Sequence, residues 1–441
     1  MTQPGFTAEV YQNEYLPEGG RLVDAVVTVT AASASGLQDH PGRTSAPYTP
    51  AGSAGTASSA VVIIVDTSGS MAYPPTKLAN AKKATLAAIE TLHDGVPFAI
   101  VSGDSMARMV YPPREGMEPA SAHTRSRAET AVRRLSASGG TAMSTWLRLA
   151  EQLFAGYGEV DVNHAILLTD GQNGEPASRL TDALGRCEGK FVCDSRGVGT
   201  DWRATELRQI ASALLGSADG LESPEQLPAV FQALTERAMG KEIARVSLRL
   251  WTPAGSTVRF VKQVFPHIED LTGRRTAVSD RIGDYPTGAW GAESRDYHVS
   301  IEVEPDAVGE EILAARVSLV AGDRKLVEKL VLARWTDDTA LSTRLNPHVT
   351  IYTGQAELAA AIQEGMAARA VGDDEVATAK LGRAVKLAAE SGREDTAKLL
   401  AKIVDVVDAD TGTVRLKRSP DSVDAEIVDV RSTVTRRVRG D

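Results

Sequence analysis

The chain has 441 residues, of which 42% are apolar and 24% are charged, a composition typical of a globular protein. At roughly 100 to 200 residues per domain, this length predicts about two or three domains. The net charge of -10 argues against nucleic acid or an anionic membrane as a partner, because both attract a basic surface.

Cysteine usage and the first residues indicate the compartment. The two cysteines, Cys187 and Cys193, are too few for the disulfide framework of a secreted domain. No basic and then apolar signal opens the chain, and no apolar run approaches the roughly 20 residues of a membrane helix. We therefore expect a cytoplasmic protein.

The N-terminal region, residues 1–35, contains two strand-like stretches, FTAEVYQNEYL and LVDAVVTVTA, separated by PEGG. A two-stranded ribbon is marginal in water, so we predict that these strands pair with strands later in the chain. Residues 36–59 are rich in Gly, Ser, Ala and Pro without apolar periodicity, which predicts a flexible linker.

The region of residues 60–240 alternates short apolar runs with amphipathic helices. The clearest strands are AVVIIVD, PFAIVSG, HAILLTD and KFVCDSRGVG, and helices are predicted to begin near Thr76, Arg125, Ala142, Ala177, Arg203 and Pro224. Strands that are buried on both faces and alternate with helices predict an α/β domain with a doubly wound, largely parallel sheet.

The pattern changes to a period of two in residues 241–340, as in ARVSLRLWT and LAARVSLVA. This period, with Pro and Gly between the runs, predicts an antiparallel β-sandwich. If the N-terminal strands pair with this region, the α/β domain is an insertion in the sandwich.

A helical segment is predicted for residues 355–408, which are rich in Ala, Leu, Lys and Glu and are divided by Gly372 and Gly392 into three short helices. Residues 409–441 are predicted to complete a hairpin, VVDADTGTVRLK, and to end in a flexible tail.

Two interpretations of that tail stay open. Arginines surround Ser432, Thr433 and Thr435, and a short polar terminus favours plain mobility. Alternatively, these hydroxyls are substrates of a basophilic serine/threonine kinase, and a phosphothreonine reader binds the product.

Three polar clusters follow predicted strands or precede a predicted helix of the α/β domain: DTSGS, SGGTAM and LLTDGQN. Ligands of an open α/β sheet bind at the carboxyl ends of its strands, so we expect the clusters to share one edge. They supply two carboxylates and three hydroxyls, namely Asp66, Ser68, Ser70, Thr141 and Asp170. An all-oxygen set of this kind suits Mg²⁺ or Mn²⁺. The alternative, that Asp66 and Ser68 cap the following helix, would not require Thr141 and Asp170.

The same residues resemble the metal-ion-dependent adhesion site of the von Willebrand factor A domain family. The family pattern is D-x-S-x-S, then a Thr, then an Asp in a T-D-G context, and all three parts are present in order. The resemblance covers residues 60–240 and implies a Rossmann-like fold. It also implies a metal that keeps one coordination position open for a carboxylate from a protein partner.

Other motifs predict less. GDSMA imitates a hydrolase nucleophile elbow, but the RMVYPP that follows indicates an edge strand, so Ser105 is interpreted as a hairpin residue. Cys187 and Cys193 are interpreted as buried thiols, and Trp146 as a core residue.

Three functions follow from these features. The first is a cytoplasmic scaffold in signalling or stress response that binds partners through Mg²⁺. The second is an accessory subunit of an ATP-driven remodelling complex, of the chelatase or MoxR-like AAA+ type. The third, a metal-dependent hydrolase, needs a general base, for which Glu175 is the nearby candidate. We favour the first, and no enzymatic activity is expected.

Overall fold

The computed structural model describes residues 5–32, 59–158, 160–221, 223–418 and 421–437. The chain divides into two compact units. One unit comprises residues 1–58, 240–352 and 435–441, and the other comprises residues 59–239 and 353–434. The predicted linker, residues 36–59, lies outside the described residues except for its last position, where a strand begins.

The secondary structure of the described residues is as follows. The strands are β1 (Gly5–Gln12), β2 (Tyr15–Pro17), β3 (Leu22–Ala32), β4 (Ser59–Asp66), β5 (Pro97–Gly103), β6 (Ala107–Tyr111), β7 (Glu118–Pro119), β8 (Val162–Thr169), β9 (Val192–Val198), β10 (Ala218–Leu221), β11 (Lys241–Trp251), β12 (Thr257–Phe265), β13 (Glu269–Asp270), β14 (Thr276–Ser279), β15 (Ile282–Gly291), β16 (Glu293–Glu302), β17 (Glu311–Ala321), β18 (Arg324–Thr336), β19 (Val404–Asp408) and β20 (Thr413–Leu416). The helices are α1 (Thr76–Thr91), α2 (Ala122–Arg133), α3 (Met143–Tyr157), α4 (Ala177–Cys187), α5 (Ala204–Ala213), α6 (Leu227–Met239), α7 (Thr339–Ser342), α8 (Pro347–Ala370), α9 (Asp374–Glu390), α10 (Glu394–Ile403) and α11 (Ser422–Arg431).

The α/β unit is built on a seven-stranded sheet of order β10-β9-β8-β4-β5-β6, with β7 also paired to β5. Strands β4, β5, β8, β9 and β10 pair in parallel, and β6 and β7 run antiparallel to β5. Every residue of β4 is buried, because helices cover both faces of the sheet. One face packs with α1 and α6 and the other with α3 and α4. The predicted doubly wound α/β fold is confirmed.

The other unit contains two sheets, of order β1-β3-β16-β12-β13 and β14-β15-β11-β17-β18-β2. Strand β3 pairs antiparallel with β16, and β2 pairs parallel with β18. The N-terminal strands thus join strands that follow the α/β segment in the sequence. The sheets meet where Phe6 on β1 lies edge-on to Trp290 on β15, with ring centroids 5.8 Å apart.

The helical segment starts earlier than predicted. Helix α8 begins at Pro347 rather than near residue 355, and it is 24 residues long. The Asn346 side chain accepts a hydrogen bond from the backbone of His348 at 2.9 Å, and Pro is favoured in the first turn of a helix. The breaks after α8 and α9 contain Gly372 and Gly392, whose φ angles of 79° and 61° suit helix ends.

The prediction of a flexible tail is wrong for residues 421–437. Helix α11 buries Ile427 and Val430 against Trp202, Ala204 and Leu207 of the same unit. The sequence signal of this helix is weak because the helix is only 10 residues long, contains three valines of modest helix propensity and has polar flanks. These residues become a core only when a distant part of the chain covers them.

The tail hydroxyls are correspondingly enclosed. Ser432 and Thr435 are buried, and their side chains donate to the carbonyls of Asp429 at 2.7 Å and Val264 at 2.6 Å. A kinase could reach these two only after the segment detaches. Phosphorylation and its reader stay predictions.

Within the described ranges, no helix combines the length and the apolar character needed to cross a membrane.

The packing of α11 leads to a stability prediction. Ile427→Ala should lower the free energy of unfolding by about 2–4 kcal/mol, because a buried aliphatic side chain is removed and a cavity remains. Val371→Ala is the matched control, since Val371 is 82% exposed, and it should change stability by less than about 0.5 kcal/mol. Denaturant unfolding measures both variants, and equal stabilities would contradict the packed helix.

Candidate metal centre

Three chain segments meet at the carboxyl edge of the parallel sheet. Strands β4 and β8 are neighbours in register, with Val65 opposite Leu168, so the polar residues that follow them emerge side by side. The loop before α3 joins them through backbone hydrogen bonds from Gly69 to Gly139 at 2.9 Å and from Ser138 to Thr67 at 2.8 Å. The predicted sharing of one edge is therefore observed.

The predicted site residues form a connected network. Ser68 Oγ lies 2.9 Å from Ser70 Oγ, and Ser70 Oγ donates to Asp170 Oδ1 at 2.7 Å. The backbone N–H of Ser68 donates to Asp66 Oδ1 at 2.7 Å. Thr141 adjoins this network at Gly171, where an added β-carbon would be 3.3 Å from Ser70 Oγ and 3.4 Å from Thr141 Oγ1.

The capping interpretation is not supported by these contacts. The side chain of Ser68 makes no capping hydrogen bond, and α1 begins only at Thr76, preceded by Pro75 without a side-chain cap. Asp66 instead accepts a hydrogen bond from the backbone N–H of Ser68, two residues further along the chain. The side chains of the motif are therefore directed at each other and not at a helix end.

Both carboxylates are fully buried. Asp66 and Asp170 have no exposed surface, and burial raises the pKa of Asp66, with a further contribution from the charge of Asp170. Hydrogen bonds from Ser68 and Thr169 oppose that shift; the Thr169 hydroxyl donates to Asp66 Oδ2 at 2.6 Å. Two buried anions this close are costly without positive charge nearby.

The donor set fits a hard divalent cation. Among the described residues, no group of three or more His, Cys, Asp or Glu side chains is placed to hold a metal. A cation at this edge would therefore depend on the hydroxyls of Ser68, Ser70 and Thr141 as well as on the two carboxylates. Oxygen-only ligands favour Mg²⁺ or Mn²⁺ over ions that prefer nitrogen or sulfur.

Sequence reasoning missed one charged residue of this centre. Lys77, in the first turn of α1, places its Nζ 2.7 Å from Asp170 Oδ2 and 3.0 Å from Asp201 Oδ2. The sequence signal is a lysine one residue after the predicted helix start at Thr76, a position that the helix dipole disfavours, but this signal does not indicate the partner. The Thr169 hydroxyl was missed as well, although it directly precedes Asp170.

The minor candidates have structural roles. Trp146 is fully buried, with its indole N–H donating to the carbonyl of Asp104 at 2.9 Å, which confirms a core residue. Ser105 lies in the β5–β6 turn, as predicted, and its hydroxyl accepts from the N–H of Gly140 at 2.8 Å. Both contacts help to position the loop that carries Thr141.

The carboxylate of Glu175 is hydrogen-bonded to the first turn of α3. Its carboxylate accepts from the backbone of Ser144 at 3.1 Å and from the Ser144 hydroxyl at 2.8 Å, in the first turn of α3. This contact argues against Glu175 as a general base. Cys187 and Cys193 are buried free thiols, and burial raises the pKa of Cys187 to about 11.

Comparison with known proteins identifies two family segments. The model of the von Willebrand factor type A domain matches residues 59–219, and the model of the von Willebrand factor type A C-terminal domain matches residues 386–432. The second match includes α11. The helix that sequence reasoning overlooked is thus part of a described family domain.

The solved structures that are similar to the chain include two that match nearly its whole length. The von Willebrand factor type A protein from Catenulispora acidiphila is 48% identical over 99% of this chain and 98% of that chain, with a TM-score of 0.89. The ArnB paralog VWA2 from Sulfolobus acidocaldarius, at 14% identity over 97% of this chain and 98% of that chain, has a TM-score of 0.57 and shares the fold.

The curated relative, an uncharacterized protein from Synechocystis sp., is 30% identical over 232 residues, which are 51% of this chain and 53% of that protein. The chain thus spans about half the length of this relative. The near full-length similarity to the Catenulispora protein, together with the two family matches, shows that the chain belongs to the von Willebrand factor type A family.

Proposed function

We propose that the chain is a cytoplasmic interaction protein that binds a protein partner through Mg²⁺ or Mn²⁺ held by the five residues of the carboxyl edge. The observation that carries this proposal is the convergence of Asp66 and Asp170, both fully buried, with a chain of hydroxyls. Domains of this family generally serve as protein-interaction modules, which supports the same conclusion. The two reduced, buried cysteines fit a cytoplasmic location.

The chain's own residues prepare this site before a partner arrives. The Ser68 N–H and the Thr169 hydroxyl hold both oxygens of Asp66, and the Ser70 hydroxyl orients Asp170. When bound, the cation would supply an electrophilic position for an oxygen ligand. Because the hydroxyl ligands are neutral, a carboxylate from an acidic residue of the partner is the ligand that best fits this position.

Exposed apolar side chains beside the site favour a protein partner. Tyr73 is 82% exposed and follows Ser70 by one turn, with its N–H donating to the Ser70 carbonyl at 3.4 Å. Met106 is 53% exposed and follows Ser105, which contacts the loop of Thr141 through Gly140. Tyr and Met are among the residue types that are enriched at protein interfaces.

The accessory-subunit alternative uses the same face and differs only in the partner. A pull-down in Mg²⁺ and in chelator, with the captured proteins identified by mass spectrometry, distinguishes the two. An ATPase captured only in Mg²⁺ would favour the remodelling complex, and a non-ATPase partner would favour the scaffold.

Loss of either carboxylate should abolish metal binding. Asp66→Ala and Asp170→Ala each remove one of the two negative charges of the site, so titration with Mg²⁺ in a calorimeter should give no binding heat. Their circular dichroism spectra should stay close to that of the parent. Asp182→Ala, an exposed carboxylate on α4, is the matched control and should bind normally. Normal Mg²⁺ affinity in both site variants would show that the site is misassigned.

Loss of the exposed aromatic should weaken the partner without affecting the metal. Tyr73→Ala should reduce partner affinity at least about tenfold, as expected for a hot-spot aromatic. Its Mg²⁺ affinity should be unchanged, because Tyr73 supplies no ligand.

The losses of partner affinity caused by removal of Mg²⁺ and by mutation of the partner's acidic residue should be non-additive, since both abolish the same contact. Additive losses would place the interface elsewhere.

A further inference from the structure

The carboxyl edge contains a fixed ammonium group. The side chain of Lys77 is 10% exposed, and its Nζ lies between Asp170, which is fully buried, and Asp201, which is 54% exposed. The side chain also passes Gly199, where an added β-carbon would lie 3.1 Å from Lys77 Cε. Gly199 has a φ of +79°, so the backbone turn there leaves room for the lysine.

The position of this lysine requires an explanation. A cation in the first turn of a helix is unfavourable, because the helix N-terminus carries partial positive charge. Contacts with two carboxylates offset this cost, because Lys77 Nζ lies 2.7 Å from Asp170 Oδ2 and 3.0 Å from Asp201 Oδ2. The ammonium group is therefore anchored on one of the predicted cation ligands.

The charge of Lys77 changes which ligand the filled cation site would bind best. Asp66 and Asp170 together carry two negative charges, and a divalent cation alone would neutralise them. Lys77 adds one positive charge, and the carboxylate of Asp201 offsets only part of it, because Asp201 is half exposed and solvent screens its charge. A carboxylate from a partner would offset the positive charge that remains, which favours an acidic ligand over water or a neutral side chain.

We propose that Lys77 sets the charge of the cation site, weakening the binding of the cation itself while making the filled site attract a carboxylate. This role rests on the proposed function, because it requires a cation at Asp66 and Asp170. It assigns specificity for an acidic partner to a residue that is not itself a ligand of the cation.

The first test measures the affinity of the protein for Mn²⁺ in the absence of a carboxylate ligand. Lys77→Met keeps the length of the side chain next to Gly199 and removes its charge, so Mn²⁺ should bind at least about tenfold more tightly. Asp201→Asn leaves Lys77 less neutralised, so Mn²⁺ should bind more weakly. Lys83→Met, an exposed lysine of the same helix, changes net charge equally and should not alter affinity. Electron paramagnetic resonance of free Mn²⁺ gives the three affinities.

The second test measures the binding of a carboxylate, acetate, to the Mn²⁺-filled site. With the site saturated by Mn²⁺, ¹³C-acetate should show paramagnetic broadening with the parent protein and with Lys83→Met. Lys77→Met should need at least about tenfold more acetate for the same broadening, because the filled site has lost its excess positive charge. The two effects of Lys77→Met thus have opposite signs, whereas loss of folding would weaken both.

The outcomes separate the two proposals. If Lys77→Met binds Mn²⁺ no more tightly than the parent, or binds acetate equally well, the role of Lys77 is wrong and the metal site stands. If Lys77→Met fails to fold, Asp201→Asn decides, because Asp201 is half exposed; unchanged Mn²⁺ affinity in that variant overturns the role. If the parent binds no Mn²⁺, or Asp66→Ala binds it normally, the proposed function itself fails.

Discussion

The burial of two carboxylates at adjacent strand ends is the constraint on which the rest of the site depends. Asp66 and Asp170 have no exposed surface, and each must be held by donors that water would otherwise supply. The donors come from separate segments: the Ser68 backbone, the Thr169 hydroxyl and the Lys77 ammonium. Because these segments converge only in the folded α/β unit, the centre depends on sheet topology as well as on the local motif.

The C-terminal helix is part of the framework that holds this centre. Glu426 on α11 accepts from the N–H of Ala204 at 2.6 Å, at the start of α5. Two residues on, Glu206 accepts from the N–H of Asn173 at 2.9 Å, and the Asn173 side chain accepts from the N–H of Met143 at 3.2 Å. This series of contacts runs from α11 to the start of α3, next to the hydroxyl-bearing loop. These contacts connect the matched C-terminal family segment, residues 386–432, to the loops around the candidate metal centre.

Features with a local signal could be predicted from the sequence. The alternation of buried strands and helices predicted the α/β fold, and the polar clusters at strand ends and before α3 predicted the five residues that the structure brings to one edge. Ile427 on α11 and Lys77 could not be predicted in this way. Ile427 packs on Trp202, and Lys77 pairs with Asp170 and Asp201, so both depend on partners far away in the sequence. No periodicity within one segment reports such a contact.

The combination of two carboxylates with three hydroxyls suits the reversible binding of an outside anion at the cation. A third or fourth protein carboxylate would more than neutralise a divalent cation and leave it little affinity for an outside anion. Ser68, Ser70 and Thr141 supply oxygen without charge, and the ammonium of Lys77 offsets part of the charge that Asp170 supplies. In the proposed function, the chain would thereby give up some affinity for the cation. It would keep an incompletely neutralised centre near the exposed ring of Tyr73, and an acidic side chain of a partner would bind there reversibly.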